Sequence, residues 1–176
     1  GFGRGRSGDT STLRELGREL GFEVDVVEKV RVGSDPVSST RIRRLLAEGR
    51  VEAAAECLGR PYGLRGRVVE GMGRGRDLGF PTANLDPPGG GKLVPAPGIY
   101  AVRAHVQGEV QRGILHAGPR PTFDEAPATL EVYLLDFDRD IYGQRVEVEF
   151  LTRLREVRSF SSTDELVREM KRDRDR

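Results

Sequence analysis

The chain has 176 residues, a formal net charge of +1 at pH 7, and 32% charged residues of both signs. This balance argues against a surface built for nucleic acid, and no apolar run reaches membrane-spanning length. The single cysteine, Cys57, excludes an internal disulfide and favours a cytoplasmic location.

Three helices and one strand are predicted in the first third of the chain. Residues 11–21 carry leucines at helical spacing, with Ser11 or Thr12 as the expected cap. Residues 22–32 alternate apolar and polar side chains and predict a strand. Two further helices are predicted between residues 34 and 59. This part of the chain is therefore predicted to be α/β in character.

The pattern changes near residue 59, where strands and turns replace helices. Strict alternation predicts strands over 100–106, 130–137 and 145–151, and Gln107-Gly108 can turn a hairpin. Several short strands at close spacing, closed by one helix, predict a mainly β fold built on a small antiparallel barrel. The closing helix is expected to be capped by Ser162 or Thr163. The predicted domains are residues 1–58 and 59–176.

A glycine-rich stretch, GMGRGRDLGFPTANL, spans residues 71–85. Glycines let backbone amides approach a ligand closely, and successive amides form a concavity for anions such as phosphate. Arg74 and Arg76 add positive charge, while Thr82 and Asn84 offer hard oxygen donors of the kind that bind Mg²⁺. The alternative is a flexible hairpin turn, since no GK[ST] follows as in a Walker motif.

Glu131 is a candidate catalytic carboxylate because its strand, LEVYLLDF, is apolar on both faces. Glu147 and Glu149, by contrast, alternate with apolar residues and are expected on a solvated face. A carboxylate among apolar neighbours loses hydration unless something binds it, and such positions are enriched in function. The alternative is a glutamate at the barrel rim with a structural hydrogen bond.

The sequence resembles those of riboflavin kinases, in particular the C-terminal kinase half of bacterial bifunctional riboflavin kinase/FAD synthetases. The matching segments follow one another in the family's order over residues 58–173: LGRPYGLRGRVVEGMGRGRDLGFPTANL, LVPAPGIYAV, GPRPTF, LEVYLLDFDRDIYG, FLTRLREVRSF and the DELVREM helix. The resemblance implies a six-stranded barrel with a C-terminal helix. It also implies ATP-dependent phosphorylation of riboflavin to FMN.

The resemblance also implies which residues form the site. Thr82 and Asn84 would contact Mg²⁺ and the ATP phosphates, and Glu131 would be the general base. The glycine-rich loop would cover the nucleotide through Gly71, Gly73, Arg74 and Gly75. Phe123 and the segment from Arg155 to Phe160 are expected to border the flavin ring or, alternatively, to serve packing. His116 is expected to contact the flavin or the nucleotide or, alternatively, to make a local backbone hydrogen bond. The expected ligands are riboflavin, FMN, ATP and ADP, with neither a nucleic acid nor a membrane as partner.

The first third resembles the tail of the FMN adenylyltransferase module of the bifunctional proteins. In VSSTRIR, Ser39, Thr40 and Arg43 would approach ATP, or would simply cap a helix and present a basic face. No HxGH motif accompanies them, so we expect an incomplete adenylylation site in a partial module. Two alternatives stay open: a full bifunctional enzyme that also makes FAD, and a non-catalytic flavin- or nucleic-acid-binding barrel. The lack of tryptophan argues against a platform for stacking bases.

Overall fold

The structure, a computed structural model, describes residues 2–71, 79–86, 92–118 and 129–176. The chain divides into two compact units, Gly1–Pro36 and Val37–Arg176. The domain boundary expected between residues 58 and 59 stays a prediction.

The first unit contains a 3-10 turn (Arg4–Arg6) and helix α1 (Thr10–Leu20). The helix was expected, but its cap is Asp9 rather than Ser11 or Thr12. The Asp9 carboxylate accepts hydrogen bonds from the backbone N–H groups of Ser11 and Thr12 at 2.9 and 3.0 Å. These hydrogen bonds lower the pKa of Asp9 to about 2, and the largest contribution comes from the Ser11 hydroxyl, followed by the Thr12 backbone N–H.

The strand predicted over residues 22–32 is wrong for residues 22–30. Only β1 (Arg31–Val32) forms, and it pairs with β2 (Asp35–Pro36) in a two-stranded hairpin. Alternation supplies one apolar face, but a strand also needs a neighbour for its backbone groups. Val27 and Val30 are exposed here. Among residues 2–61, the structure therefore does not show the α/β module that was predicted before the barrel.

The second unit begins with helices α2 (Ser39–Ala47) and α3 (Val51–Leu58), both expected from the sequence. The Ser38 hydroxyl caps α2 by accepting from the Arg41 backbone N–H at 3.2 Å. The Glu52 carboxylate of α3 accepts from the Arg153 backbone N–H at 3.3 Å, which joins this helix to a barrel strand.

Six strands form a closed antiparallel barrel, as predicted. Its strands are β3 (Tyr62–Val69), β4 (Thr82–Asp86), β5 (Gly98–Val106), β6 (Glu109–Gly118), β7 (Thr129–Leu134) and β8 (Arg145–Arg155). Their order around the barrel is β3-β4-β7-β6-β5-β8. The β5–β6 hairpin turns at Gln107 and Gly108, which have φ angles of 51° and 84°.

The interior of the barrel is filled by alternating apolar side chains. On β7 the buried residues are Leu130, Val132 and Leu134, which places the intervening Glu131 and Tyr133 on the opposite, outer face. The largest fully buried side chains include Tyr100 and Phe150, whose rings meet edge to face at 5.2 Å.

Helix α4 (Thr163–Asp175) closes the chain. The Ser162 hydroxyl accepts from the Glu165 backbone N–H at 3.2 Å, and the Glu165 carboxylate reaches back to the Ser161 N–H at 3.0 Å. The cap is therefore Ser162, one of the two residues expected.

Candidate active site

One row of facing residues crosses all six strands of the barrel. Each member is in direct register with the next, so the side chains of the row share one face of the sheet. The row runs Arg155, Ile99, His116, Glu131, Asn84 and Val69, on β8, β5, β6, β7, β4 and β3. Four predicted site residues thus fall on a single row: Arg155, His116, Glu131 and Asn84.

The row places the predicted base beside the predicted metal ligands. Asn84 and Glu131 are directly paired between β4 and β7, a relation that separates Cα atoms by about 4.5–5.5 Å. Thr82 lies two residues before Asn84 on the same face and pairs with Tyr133. Thr82 and Glu131 are therefore diagonal neighbours, about 7–8 Å apart.

The outer face of these strands forms the floor of a cavity of about 510 Å³, here called the helix cavity. Its opposite wall is the segment after β8 together with helix α4. Its floor and side residues are Phe80, Thr82, Ile99, Ile114, His116, Glu131 and Tyr133. Its helix-side residues include Arg155, Val157, Phe160, Leu166, Met170 and Asp173.

The walls of the helix cavity are mainly apolar and aromatic. The rings of Phe80 and Tyr133 meet edge to face at 5.1 Å, and Phe80 is buried. On the helix side, the guanidinium groups of Arg155 and Arg158 lie 5.7 and 4.9 Å from the Phe160 ring centroid. A pocket of this kind, with polar groups set in an apolar lining, suits a small organic ligand.

A second cavity of about 630 Å³, here called the loop cavity, lies beside the segment after β7. It is lined by residues around the end of β3, the start of β4 and the end of β7, and by this segment: Val68, Gly71, Pro81, Thr82, Ala83, Val132, Leu134 and residues 137–142. Arg139 in the segment forms an ion pair with Glu109 of the β5–β6 hairpin and stacks over Phe137 at 4.8 Å. The Arg139 hydrogen bond and charge lower the pKa of Glu109.

Thr82 borders both cavities. It lies at the start of β4, directly after Pro81, where the outer face of the sheet meets the end of the barrel. A ligand in either cavity would therefore lie beside the same residue.

Gly71 is packed against the side chain of Asn84. A Cβ at Gly71 would stand 2.7 Å from Asn84 Cγ and 3.1 Å from its Oδ1, closer than side-chain atoms approach. The amide of Asn84 thus occupies the space that only a glycine leaves. Gly71 was predicted as a loop residue; its contact with Asn84 is an additional constraint that the sequence did not indicate.

The donor set fits a hard divalent cation. The Thr82 hydroxyl and the Asn84 amide oxygen alternate along one strand on one face, with the Glu131 carboxylate beside them. Among the described residues, no group of three or more His, Cys, Asp or Glu side chains could hold a metal alone. Mg²⁺ commonly takes one or two protein ligands and completes its shell with phosphate oxygens and water.

The remaining predicted residues fall into two groups. Gly73, Arg74, Gly75 and Phe123 lie outside the described residues. Ser39, Thr40 and Arg43 lie on helix α2, exposed, and line neither of the two cavities.

Sequence reasoning missed the aromatic pair Phe80 and Tyr133, the wall residues Ile99 and Ile114, and Arg139 of the loop cavity. The sequence did carry a signal for Tyr133, because it lies two residues after Glu131 on the same strand and therefore on the same face. The positions of Ile99 and Ile114 depend on register between strands distant in sequence, and those of Phe80 and Arg139 depend on the segments before β4 and after β7.

Comparison with known proteins identifies the family. The family model Flavokinase, described as riboflavin kinase, matches residues 58–176. A bifunctional riboflavin kinase/FMN adenylyltransferase from Listeria monocytogenes is 40% identical over 153 residues, 86% of this chain and 48% of that protein. The protein of the same name from Haemophilus influenzae is 38% identical over 173 residues, 98% of this chain and 56% of that protein.

A crystal structure named a macrolide-efflux protein from Streptococcus pneumoniae superposes with a TM-score of 0.88 at 37% identity. It covers 99% of this chain and 56% of the other.

Within the part of the chain that the structure describes, no helix has both the length and the apolar character needed to cross a membrane.

The chain spans about half the length of the curated relatives it matches. The family match covers all six barrel strands and helix α4, the elements that build both cavities. This chain belongs to the riboflavin kinase family.

Proposed function

We propose that this chain is an ATP-dependent riboflavin kinase, which transfers the γ-phosphoryl group of ATP to the terminal hydroxyl of riboflavin's ribityl chain. One observation carries the proposal: Thr82 borders both cavities, and Glu131 lies in the helix cavity in register with Asn84. Transfer between two bound substrates requires one point that both can reach, and this junction supplies it.

Riboflavin would occupy the helix cavity. The apolar walls and the Phe80–Tyr133 pair suit the flat isoalloxazine ring, while Glu131 and His116 on the floor suit the hydroxylated ribityl chain. Phe160 would border the ring from the helix side.

ATP would occupy the loop cavity. Gly71, at its edge, leads into the glycine-rich segment whose Gly73, Arg74 and Gly75 we propose as phosphate contacts. Arg139 brings a cation to the same cavity, already oriented by Glu109.

In the reaction, the terminal hydroxyl oxygen of riboflavin attacks the γ-phosphorus and forms a new P–O bond. The bond from the γ-phosphorus to the oxygen that bridges to the β-phosphate breaks, and ADP leaves with that electron pair. The hydroxyl proton passes to the Glu131 carboxylate, which also orients the nucleophile. The protein contributes mainly position and charge, because phosphoryl transfer asks for little covalent chemistry.

Thr82 and Asn84 would hold the divalent cation, which we propose to be Mg²⁺. When bound, it would neutralise charge on the ATP phosphates. Thr82 lines the nucleotide cavity and Asn84 is paired with Glu131, so the two oxygen donors would fix the phosphate end of ATP relative to the base.

A single incubation tests this function. The purified chain is mixed with riboflavin, ATP and MgCl₂, and riboflavin, FMN and FAD are separated by chromatography. We expect FMN and ADP in equal amounts, and no FMN after chelation with EDTA. Appearance of FAD would instead favour the bifunctional activity, and binding of riboflavin without FMN would favour a non-catalytic barrel.

A cytoplasmic location stays a prediction.

Thr82→Val removes the shared hydroxyl at constant shape and should lower kcat by about 10²-fold or more. Thr129→Val is the matched control, because Thr129 also lies on a barrel strand but its hydroxyl donates to the Gly118 carbonyl at 3.1 Å, outside both cavities. Equal activity of the two variants would remove Thr82 from the site.

A further inference from the structure

We propose that Arg155 is a positioning residue for the flavin side of the site, acting through Asp173 on helix α4. The sequence indicated Arg155 as a residue that borders the flavin. The structure also joins its guanidinium to the helix that forms the opposite wall of the helix cavity. This inference rests on the proposed function, because it assigns that cavity to riboflavin.

Two register shifts in β8, one between Phe150 and Thr152 and one between Arg153 and Arg155, leave Arg155 on the cavity side. Ile99 of β5 pairs with Arg155, but the next residue, Tyr100, pairs with Arg153, so Leu154 is an extra residue in β8. A β-bulge of this kind redirects the side chains on either side of it. Arg153 consequently shares the face of the buried Tyr100, while Arg155 shares the outer face with Ile99.

The Arg155 guanidinium makes a two-pronged contact with Asp173. Its Nε donates to Asp173 Oδ2 at 3.0 Å, and its Nη2 donates to the same oxygen at 2.7 Å. Its Nη1 donates to the Glu156 carbonyl at 3.1 Å. Each of the three guanidinium nitrogens therefore already donates to an acceptor within the protein.

The pair is shielded from water. The side chains of Arg155 and Asp173 are only 15% and 2% exposed. Glu169, one helical turn earlier on α4, lies 3.7 Å from Arg155 Nε and 2.9 Å from Arg158 Nη2. Removal of one member of such a pair leaves an uncompensated buried charge, so the contact favours one arrangement of the helix strongly over others.

The same groups form part of the cavity wall. Arg155, Arg158, Phe160 and Asp173 all line the helix cavity, and Phe160 packs beneath both guanidinium groups. Arg155 also belongs to the cross-strand row that contains Glu131 and Asn84. A fixed link from this row to α4 sets the distance between the floor of the cavity and its opposite wall.

Two substitutions test the inference. Asp173→Asn keeps the shape of the residue but removes its charge, and Arg155→Lys keeps the charge but loses the two-pronged geometry. Glu147→Gln is the matched control: it breaks the pair in which Arg65 Nε donates to Glu147 at 2.9 Å, between side chains that are 73% and 31% exposed. Exposed pairs of this kind contribute little.

The readouts are KM for riboflavin, KM for ATP, and riboflavin affinity from the quenching of its fluorescence without ATP. We expect both variants to weaken riboflavin binding by about 10- to 100-fold while KM for ATP stays within about two-fold. The double variant should bind riboflavin no more weakly than the weaker-binding single variant, because the two substitutions remove the same contact. Glu147→Gln should match the wild type.

Three results would overturn the inference. Wild-type riboflavin affinity in Asp173→Asn, with weak binding in Arg155→Lys, would mean that Arg155 binds the flavin directly. A parallel rise of both KM values would mean general destabilisation. Absence of riboflavin binding by the wild type would remove the cavity assignment.

Two further measurements keep the test decisive. Circular dichroism checks each variant at the assay temperature, and Arg155→Lys decides alone if Asp173→Asn does not fold. A wild type that binds riboflavin but forms no FMN would contradict the proposed function, and the affinity measurements would still test the inference.

Discussion

Substitution of Gly71 by alanine should impair catalysis by displacing the Asn84 side chain. The added Cβ would stand 2.7 Å from Asn84 Cγ, whereas ordinary contacts begin at 3.4 Å. Contact with Cγ alone requires the amide to retreat by about 0.7 Å, and Asn84 Nδ2, the nearest atom, requires a larger movement. A displacement near 1 Å in a reacting constellation lowers rates by up to about 10²-fold. Gly71 is not among the described glycines with positive φ, so alanine can adopt its backbone conformation without comparable strain.

The assay is FMN formation at saturating riboflavin and ATP, measured over a range of MgCl₂ concentrations. We expect kcat to fall by about 10- to 100-fold and half-saturation to require more Mg²⁺. Gly63→Ala is the control, because its Cβ would meet only the flexible end of Glu147 at 3.3 Å and the Val148 carbonyl at 3.5 Å. In the Asn84→Ala background, Gly71→Ala should have no further effect.

Wild-type kcat and Mg²⁺ dependence in Gly71→Ala would refute this reasoning. They would mean either that Asn84 accommodates the methyl group freely or that its position does not matter for the reaction.

Two further predictions concern the start of helix α4. Ser162→Ala removes the hydroxyl that caps the helix and should lower the free energy of unfolding by about 1 kcal/mol, as measured by urea denaturation. The Ser161 hydroxyl and then its backbone N–H lower the pKa of Glu165 below its ordinary value of 4.5. Because the pKa is lower in the folded state, the ionised Glu165 carboxylate stabilises the fold above pH 4.5, and this stabilisation is lost as the pH falls through the lowered pKa. The difference in Tm between wild type and Glu165→Gln should therefore be largest near neutral pH and shrink in acid; a constant difference from pH 7 to 3 would contradict this assignment.

Alternation along single strands predicted the barrel well, because each strand has one face in the core. On β7 the residues on either side of Glu131 are buried, but the sequence of this strand is apolar on both faces and did not indicate which face points inward. The pairs Arg65–Glu147 and Arg103–Glu149 likewise confirm the solvated face expected for β8. Periodicity is a local property, and it is retained wherever a strand finds partners.

Relations between distant strands were beyond this reasoning. The row that aligns Asn84, Glu131 and His116 is fixed by register, which no single strand encodes. The extra residues at Leu151 and Leu154 decide which side chains of β8 share a face with their β5 partners, and nothing in the local pattern marks them. For the same reason residues 22–30, which alternate like a strand, form none in the described structure, because alternation does not supply a pairing partner.

The central claim is that Glu131 accepts the proton of the riboflavin hydroxyl. Single-turnover formation of FMN by Glu131→Gln, beside the control Glu149→Gln, tests it most directly. Glu149 is a carboxylate of the outer face that pairs with Arg103 at 3.0 Å and lines neither cavity. We predict that the rate of FMN formation falls by about 10²- to 10⁴-fold in Glu131→Gln, while the fluorescence of riboflavin is still quenched when it binds. Glu149→Gln should behave as wild type. A rate for Glu131→Gln within a few-fold of the control would contradict the account.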